Sequence, residues 1–249
     1  MEIKAVKLYE GGFMSESFAL GGEDKGQTLD DTKTYSSSLQ NYLIDMGNEV
    51  ILIDTGLPKE TQDTLPKAGQ KIYQGKRIRD YVSALENLGY SPDNVSKILL
   101  THKHPDHSGE LRSFPNAKIY LSMAEAEAMN LTGDNIIPVE YNDGPYYNFE
   151  KSKKIADGVY FLPAPGHTKG NSVVVVEKDG LFYMIHGDIT YTDEALRANK
   201  LSMVFEDLDA AKQSLEKVRT FIQKNPTVYI STHTPEGIES LEQKKVMKL

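Results

Sequence analysis

The stretch THKHPDHSG places His102, His104, Asp106 and His107 within six consecutive positions of a 249-residue chain that has only six histidines in all. Scattered at random, so few histidines would form a His-x-His-x-x-His pattern in about a few chains per thousand. Neutral imidazole is the commonest metal-binding side chain and carboxylate oxygen complements it, whereas a histidine cluster without a cation accumulates repulsion on protonation. A metal site is therefore the chemistry this spacing predicts. Pro105 forbids a helix entering from the N-terminal side, so the four donors splay around more than one point, which suggests two ions.

Two ions need further donors, and three stand just past apolar strands: His167 in PAPGHTKGN, Asp188 in MIHGDITY and His233 in YISTHTPEG. Loops at strand ends are where α/β proteins commonly bind ligands. A buried Asp or His at such a point needs a partner, and a metal supplies one. Gly166 and Gly170 let the chain turn sharply on either side of His167. His186 fits neither pattern and is expected to pack or pair at the end of its strand, with no metal role. The chain has no cysteine, so nitrogen and oxygen must supply every ligand.

The elements that would position these donors alternate between strand and helix. The N-terminal MEIKAVKLYEGGFMSES reads as the first strand, and YSSSLQNYLI with EVILIDTG as a hairpin turning at Met46, Gly47 and Asn48. Residues 57–75 lack a period and read as a long loop bordering a pocket. In RIRDYVSALENLGY, the helical spacing of Ile78, Tyr81, Val82, Leu85 and Leu88 predicts an amphipathic helix ending at Gly89. VSKILLT and AKIYLS follow as strands, with a helix expected from Gly109 onward, and SMAEAEAMN as a short helix whose Ser122 and Glu125 have capping-box spacing. Residues 133–158 read as irregular. GVYFLPAP, NSVVVVEKDGLFYMIHGD (a hairpin turning at Asp179 and Gly180) and TVYIST are strands. DLDAAKQSLEKVRTFIQKN is a helix capped by Asp207 or Asp209.

Composition narrows the function classes. Against 28 basic residues stand 36 acidic ones, and the net charge of −8 repels polyanions, so nucleic acid is not an expected partner. The longest apolar runs, SVVVVE and KILLT, are strand-sized, far short of the roughly 20 residues a membrane span requires. The N-terminus mixes charges among its apolar residues and lacks a signal-peptide core, so a cytoplasmic protein without a membrane partner is expected. No repeat or linker divides the chain, and one domain over 1–249 is expected. Oligomeric state is not written in any of these patterns.

Taken in order, LIDTG at 52–56, THKHPDHSG, PGHTKGNS, HGD and STH resemble the five motifs of the metallo-β-lactamase superfamily, and they cover most of the chain. The resemblance implies an α/β fold, an αββα sandwich of two mixed β-sheets flanked by helices, with a dinuclear metal site at one edge. It implies that His102, His104 and His167 hold one divalent ion, that Asp106, His107 and His233 hold the other, and that Asp188 bridges them. Asp54 would hydrogen-bond a ligand histidine and fix its ring. Zinc is the expected metal, although such ligands also suit iron, manganese and cobalt.

Within the superfamily the chain is similar to the N-acyl homoserine lactonases, which likewise use no cysteine ligand and carry a long insertion after DTG. They also have a tyrosine three residues beyond the bridging aspartate, here Tyr191 in DITY. That likeness implies a hydrolase opening N-acyl homoserine lactones or related small-molecule lactones and esters. A hydroxide shared by the two cations would attack the ring carbonyl, Tyr191 and one cation would stabilise the oxyanion, and Asp106 would pass a proton to the leaving alkoxide. Two departures concern the substrate: Pro105 stands where those lactonases often have an aromatic touching the acyl chain, and THTPEG after the last ligand differs from their pattern. Residues 133–150, with Tyr141, Tyr146, Tyr147 and Phe149, are expected to be a packed surface loop, or else to supply a replacement wall.

The rival enzyme is a glyoxalase II-like thioester hydrolase with the same metals. That family adds a basic C-terminal region for a glutathione carboxylate, for which SLEQKKVMKL leaves little room. A phosphodiesterase conflicts with the acidic charge. From another class, flavodiiron redox proteins carry a glutamate where His104 stands and add a flavodoxin domain. A binding module that had lost its chemistry would be missing some of the donors.

Overall fold

Strands buried on both faces organise this fold. In the computed structural model, which describes residues 1–249, one sheet has the order β4 (Ile72–Arg77), β1 (Glu2–Ser15), β2 (Thr34–Asp45), β3 (Val50–Ile53), β5 (Val95–Leu99), β6 (Lys118–Ser122), β7 (Ile136–Val139). The other has the order β12 (Thr227–Ile230), β11 (Leu181–Ile185), β10 (Ser172–Lys178), β9 (Val159–Pro163), β8 (Lys153–Ala156). Both sheets are mixed: β3, β5, β6 and β7 run parallel and β1, β2 and β4 antiparallel in the first, while only β11 and β12 pair in parallel in the second.

Period-two alternation assigns side chains to layers. Along β10, Val174 and Val176 face the first sheet and join Tyr42, Ile44, Ile51, Ile53, Ile185 and Ile230 in the core between the sheets. Val173 and Val175 face outward onto α6 (Leu208–Lys224), whose Ala211, Leu215, Val218 and Ile222 recur at helical spacing. On the other side, Leu39, Leu43 and Leu52 meet α2 (Tyr81–Asn87) and α4 (Met123–Ala128). The layers are therefore helix, sheet, sheet, helix, the αββα sandwich that the motifs imply. The remaining helices, α1 (Glu16–Leu20), α3 (Pro105–Ser108), α5 (Asp193–Ala198) and α7 (Pro235–Gln243), are short. No helix is long and apolar enough to cross a membrane.

Four expectations need correction. The 57–75 segment is not all loop: its end forms β4, which pairs with β1 and takes Arg77 away from α2, so that the helix begins only after the Asp80 cap. Its IYQGKR has no apolar alternation to reveal a strand, and at Gly75 a Cβ would lie 2.1 Å from the Glu10 carbonyl oxygen, a close approach that requires glycine. Within 133–158, two short strands form, β7 beside β6 and β8 at the sheet edge beside β9. No α-helix runs on from Gly109: the single turn α3 begins at Pro105, a residue suited to a first helical position because it has no N–H to leave unpaired there, and ends at Ser108, with only a 3-10 turn at Leu111–Ser113 beyond. Finally, the Ser122 hydroxyl does cap α4 by accepting from Glu125 N–H, but the Glu125 carboxylate is engaged elsewhere and does not close a capping box.

Candidate metal centre

The predicted donors follow the ends of β5, β9, β11 and β12, with Asp54 just past β3, and backbone hydrogen bonds tie those exits together. Asp54 N–H donates to Leu99 O, Thr55 N–H to His107 O, Ser172 N–H to Thr101 O and Ser38 N–H to His233 O. The loops of both sheets thus converge on one edge. His102 and His107 are fully buried and His167, Asp188 and His233 nearly so, while His104 and Asp106 keep partial exposure and mark the open side.

Two clusters result. His102 Nε2, His104 Nδ1 and His167 Nε2 lie 2.9–3.2 Å from one another. Asp106, His107 and His233 form the second group, with His233 Nε2 3.4 Å from His107 Nε2 and 3.6 Å from Asp106 Oδ2. Between them stands Asp188: its Oδ2 is 3.0 Å from His233 Nε2, 3.3 Å from His107 Nε2, 3.5 Å from His167 Nε2 and 3.8 Å from His102 Nε2. One carboxylate oxygen therefore faces nitrogens of both clusters.

The hydrogen bonds behind the rings decide which nitrogens carry lone pairs. His107 Nδ1–H donates to Asp54 Oδ2 across 2.7 Å and His167 Nδ1–H to the Val204 carbonyl across 2.8 Å, which turns both Nε2 atoms inward and leaves that of His167 unprotonated. Burial opposes a charge on His107, but Asp188 and Asp54 beside it outweigh that and hold it well above the usual imidazole range, so a cation would take the place of its second proton. Thr101 Oγ1 donates its one proton to Asp54, so it accepts from His102 Nδ1–H at 3.0 Å and leaves His102 Nε2 bare as well. A single proton on His104 Nδ1 could serve one of its two close contacts but not both. In the His102, His104 and His167 group converging lone pairs repel, and a cation among them would turn that repulsion into bonding; in the other group a cation would replace the protons that Asp188 and Asp106 favour on His107 and His233, so the donor set fits divalent ions. Burial, then the nearby His107 and His167, hold His102 well below the usual imidazole range, and burial brings His167 down to about 4. Asp188 titrates well below the usual carboxylate range: burial opposes its charge, but His233 and His107 beside it outweigh that.

Asp188 also adopts a φ of +99°, a conformation that costs a non-glycine residue on the order of 1–3 kcal/mol. Its backbone N–H donates to His186 Nδ1 at 3.1 Å and its Oδ1 accepts from Thr232 Oγ1 at 3.0 Å. His186 accordingly lies outside the donor clusters, stacked on Tyr229 with ring centroids 4.1 Å apart.

Residues 40–233 match the Metallo-beta-lactamase superfamily. The chain belongs to the metallo-β-lactamase superfamily. It is, as such, a metal-dependent hydrolase. The superfamily relatives it resembles include the N-acyl homoserine lactonase of Bacillus cereus, 25% identical over 217 residues that cover 84% of this chain and 83% of that one. Among solved structures, the fold is similar to that of an N-acyl homoserine lactone hydrolase with the product N-hexanoyl-L-homoserine bound at its catalytic metal centre. That match has a TM-score of 0.72, 22% identity, and covers 96% of this chain and 97% of the other. The dizinc quorum-quenching lactonase AidC aligns with a TM-score of 0.66 at 19% identity, over 94% of this chain and 90% of that one.

Around this superfamily site, Tyr191 is nearly buried, its ring 4.9 Å from that of His233 and stacked on Phe18 at 5.3 Å. Burial, then the carboxylates of Asp188 and Asp106, push its phenol well above its ordinary range, so it keeps its proton. Residues 146–149 supply no wall to the site: Tyr146, Tyr147 and Phe149 pack on Phe221 of α6. One contact goes unannounced by the sequence. Gln74, on β4, donates from Nε2 to Asp106 Oδ2 at 3.2 Å. No local pattern could have identified it, because the contact joins an aperiodic edge strand to the short helix α3, 32 residues away.

Proposed function

We propose that this chain, as one domain over residues 1–249, is a dinuclear hydrolase that opens the ring of N-acyl homoserine lactones or closely related lactones. In this reading His102, His104 and His167 take one ion, Asp106, His107 and His233 take the other, and Asp188 joins both. The observation that carries the reading is the position of Asp188 Oδ2, within 3.0–3.8 Å of four imidazole nitrogens drawn from the two clusters. Similarity to lactonases across most of the chain supports the substrate class.

Divalent ions held there, zinc by preference, would supply Lewis acidity that acidifies water and polarises a carbonyl oxygen. The rest falls to the protein. Addition of water's oxygen to the lactone carbonyl carbon moves negative charge onto the carbonyl oxygen, and the Tyr191 hydroxyl, still protonated and beside His233, donates to it. When the ring C–O bond breaks, the leaving alkoxide needs a proton. Asp106, on the open side, relays the one released by the attacking water, and Gln74 holds the carboxylate that does so. The product is a hydroxy acid.

The test is a panel of acyl homoserine lactones, thioesters and phosphodiesters offered to metal-replete protein, read by acid release with and without chelator. Chelator-sensitive ring opening of the lactones is expected. Good thioester turnover with inert lactones of every chain length would replace this reading with the glyoxalase II-like one.

A further inference from the structure

The His102/His104 loop and the His167 loop belong to different sheets, yet their nitrogens meet within 3.2 Å. Two glutamates span the pair. Glu125, only 1% exposed, accepts Lys103 N–H through Oε2 at 2.7 Å and Gly170 N–H through Oε1 at 2.8 Å. Glu206 repeats the pattern further out: Oε1 takes the Lys103 ammonium at 2.6 Å and Oε2 takes Lys169 N–H at 2.9 Å. Each carboxylate has one oxygen on residue 103, between the two histidines of the first loop, and the other on a residue two or three beyond His167.

We propose that Glu125, reinforced by Glu206, is a positioning residue: a carboxylate clasp that sets the spacing of these two loops and thereby the metal affinity of the His102, His104 and His167 group. The proposal rests on the assignment of that group as a metal site. A charged acceptor bridging two backbone N–H groups gives charge-assisted bonds with fixed geometry, and its burial makes a mismatched replacement costly. The sequence accommodates the clasp at Gly170, where a Cβ would lie 2.0 Å from Ser122 Oγ and 2.8 Å from Glu125 Oε1, so that only glycine lets the loop come this close. Glu125 thus does for the first cluster what Asp54 does for His107 in the second, with the difference that it grips backbone instead of the ring.

Glu125→Gln keeps the size but turns an NH2 toward one of the two N–H donors. The experiment titrates metal-depleted wild type, Glu125→Gln, Glu206→Gln and Gly170→Ala with cobalt(II) against a competing chelator, following the visible absorption bands, and measures the melting temperature of each apoprotein. Expected are about a tenfold or larger loss of affinity for one of two cobalt equivalents in Glu125→Gln and Gly170→Ala, with altered band intensity, and a smaller loss of the same kind in Glu206→Gln. Wild-type affinity and spectrum in Glu125→Gln, even with a lowered apoprotein melting temperature, would overturn the clasp. Should Glu125→Gln fail to fold, Glu206→Gln decides, since that side chain is one-third exposed and its unchanged affinity would equally refute the proposal. Failure of wild type to bind cobalt at all is a separate result, against the metal-site reading itself.

Discussion

His107 Nδ1 lies 2.7 Å from Asp54 Oδ2 with both side chains fully buried, and the same carboxylate accepts the Thr101 hydroxyl and backbone N–H. Asp54 therefore orients one imidazole directly and His102 through Thr101. Asp54→Ala removes both supports, and we expect it to cost between about tenfold and a hundredfold in metal affinity. Equilibrium dialysis against zinc measures this, and unchanged binding would show the contact to be incidental.

Removing a donor at the junction should be worse. His107→Ala and Asp188→Asn are each expected to lower kcat/KM by roughly a hundredfold or more, because activation of water and placement of the carbonyl fail together. Near-normal turnover by either variant contradicts the two-ion mechanism.

Tyr191→Phe keeps the stack on Phe18 but loses the hydroxyl. Loss of one oxyanion donor predicts a kcat lower by about a hundredfold with little change in metal content. An unaffected kcat would reduce Tyr191 to a wall residue.

Asp193 offers a test of stability away from the clusters. Burial, only partly offset by Arg197, raises its carboxyl from 3.8 to about 6. The folded state thus binds this proton more tightly than the unfolded one. The penalty for ionisation is absent below about pH 4, grows as pH rises through 6 and is full above it, up to about 3 kcal/mol. Asp193→Asn should raise the melting temperature at pH 8 and give little gain at pH 4; an equal effect at both would refute the ionisation argument.

How much of this was legible beforehand depended on whether the signal was local. The histidine spacing, the valine run of β10 and the Asp179–Gly180 turn are each written in a few adjacent residues, and the structure brings all seven predicted donors to one edge. The family motifs supplied the pairing of donors, which spacing alone does not reveal. What escaped is non-local. Gln74 reaches Asp106 from a strand with no apolar alternation, and Glu125 has the spacing of a cap yet turns its carboxylate to backbone on two other loops. Pro105 does keep a helix from entering the loop from its N-terminal side, but its own place at the first position of α3 is not evident from its type alone.

The most direct test of the central claim is anomalous diffraction at the zinc edge from crystals grown with zinc. Two peaks a few ångströms apart, one beside His102, His104 and His167 and the other beside His107 and His233, with Asp188 between them, are the predicted result. A single peak, or zinc bound elsewhere with these side chains turned apart, would contradict it.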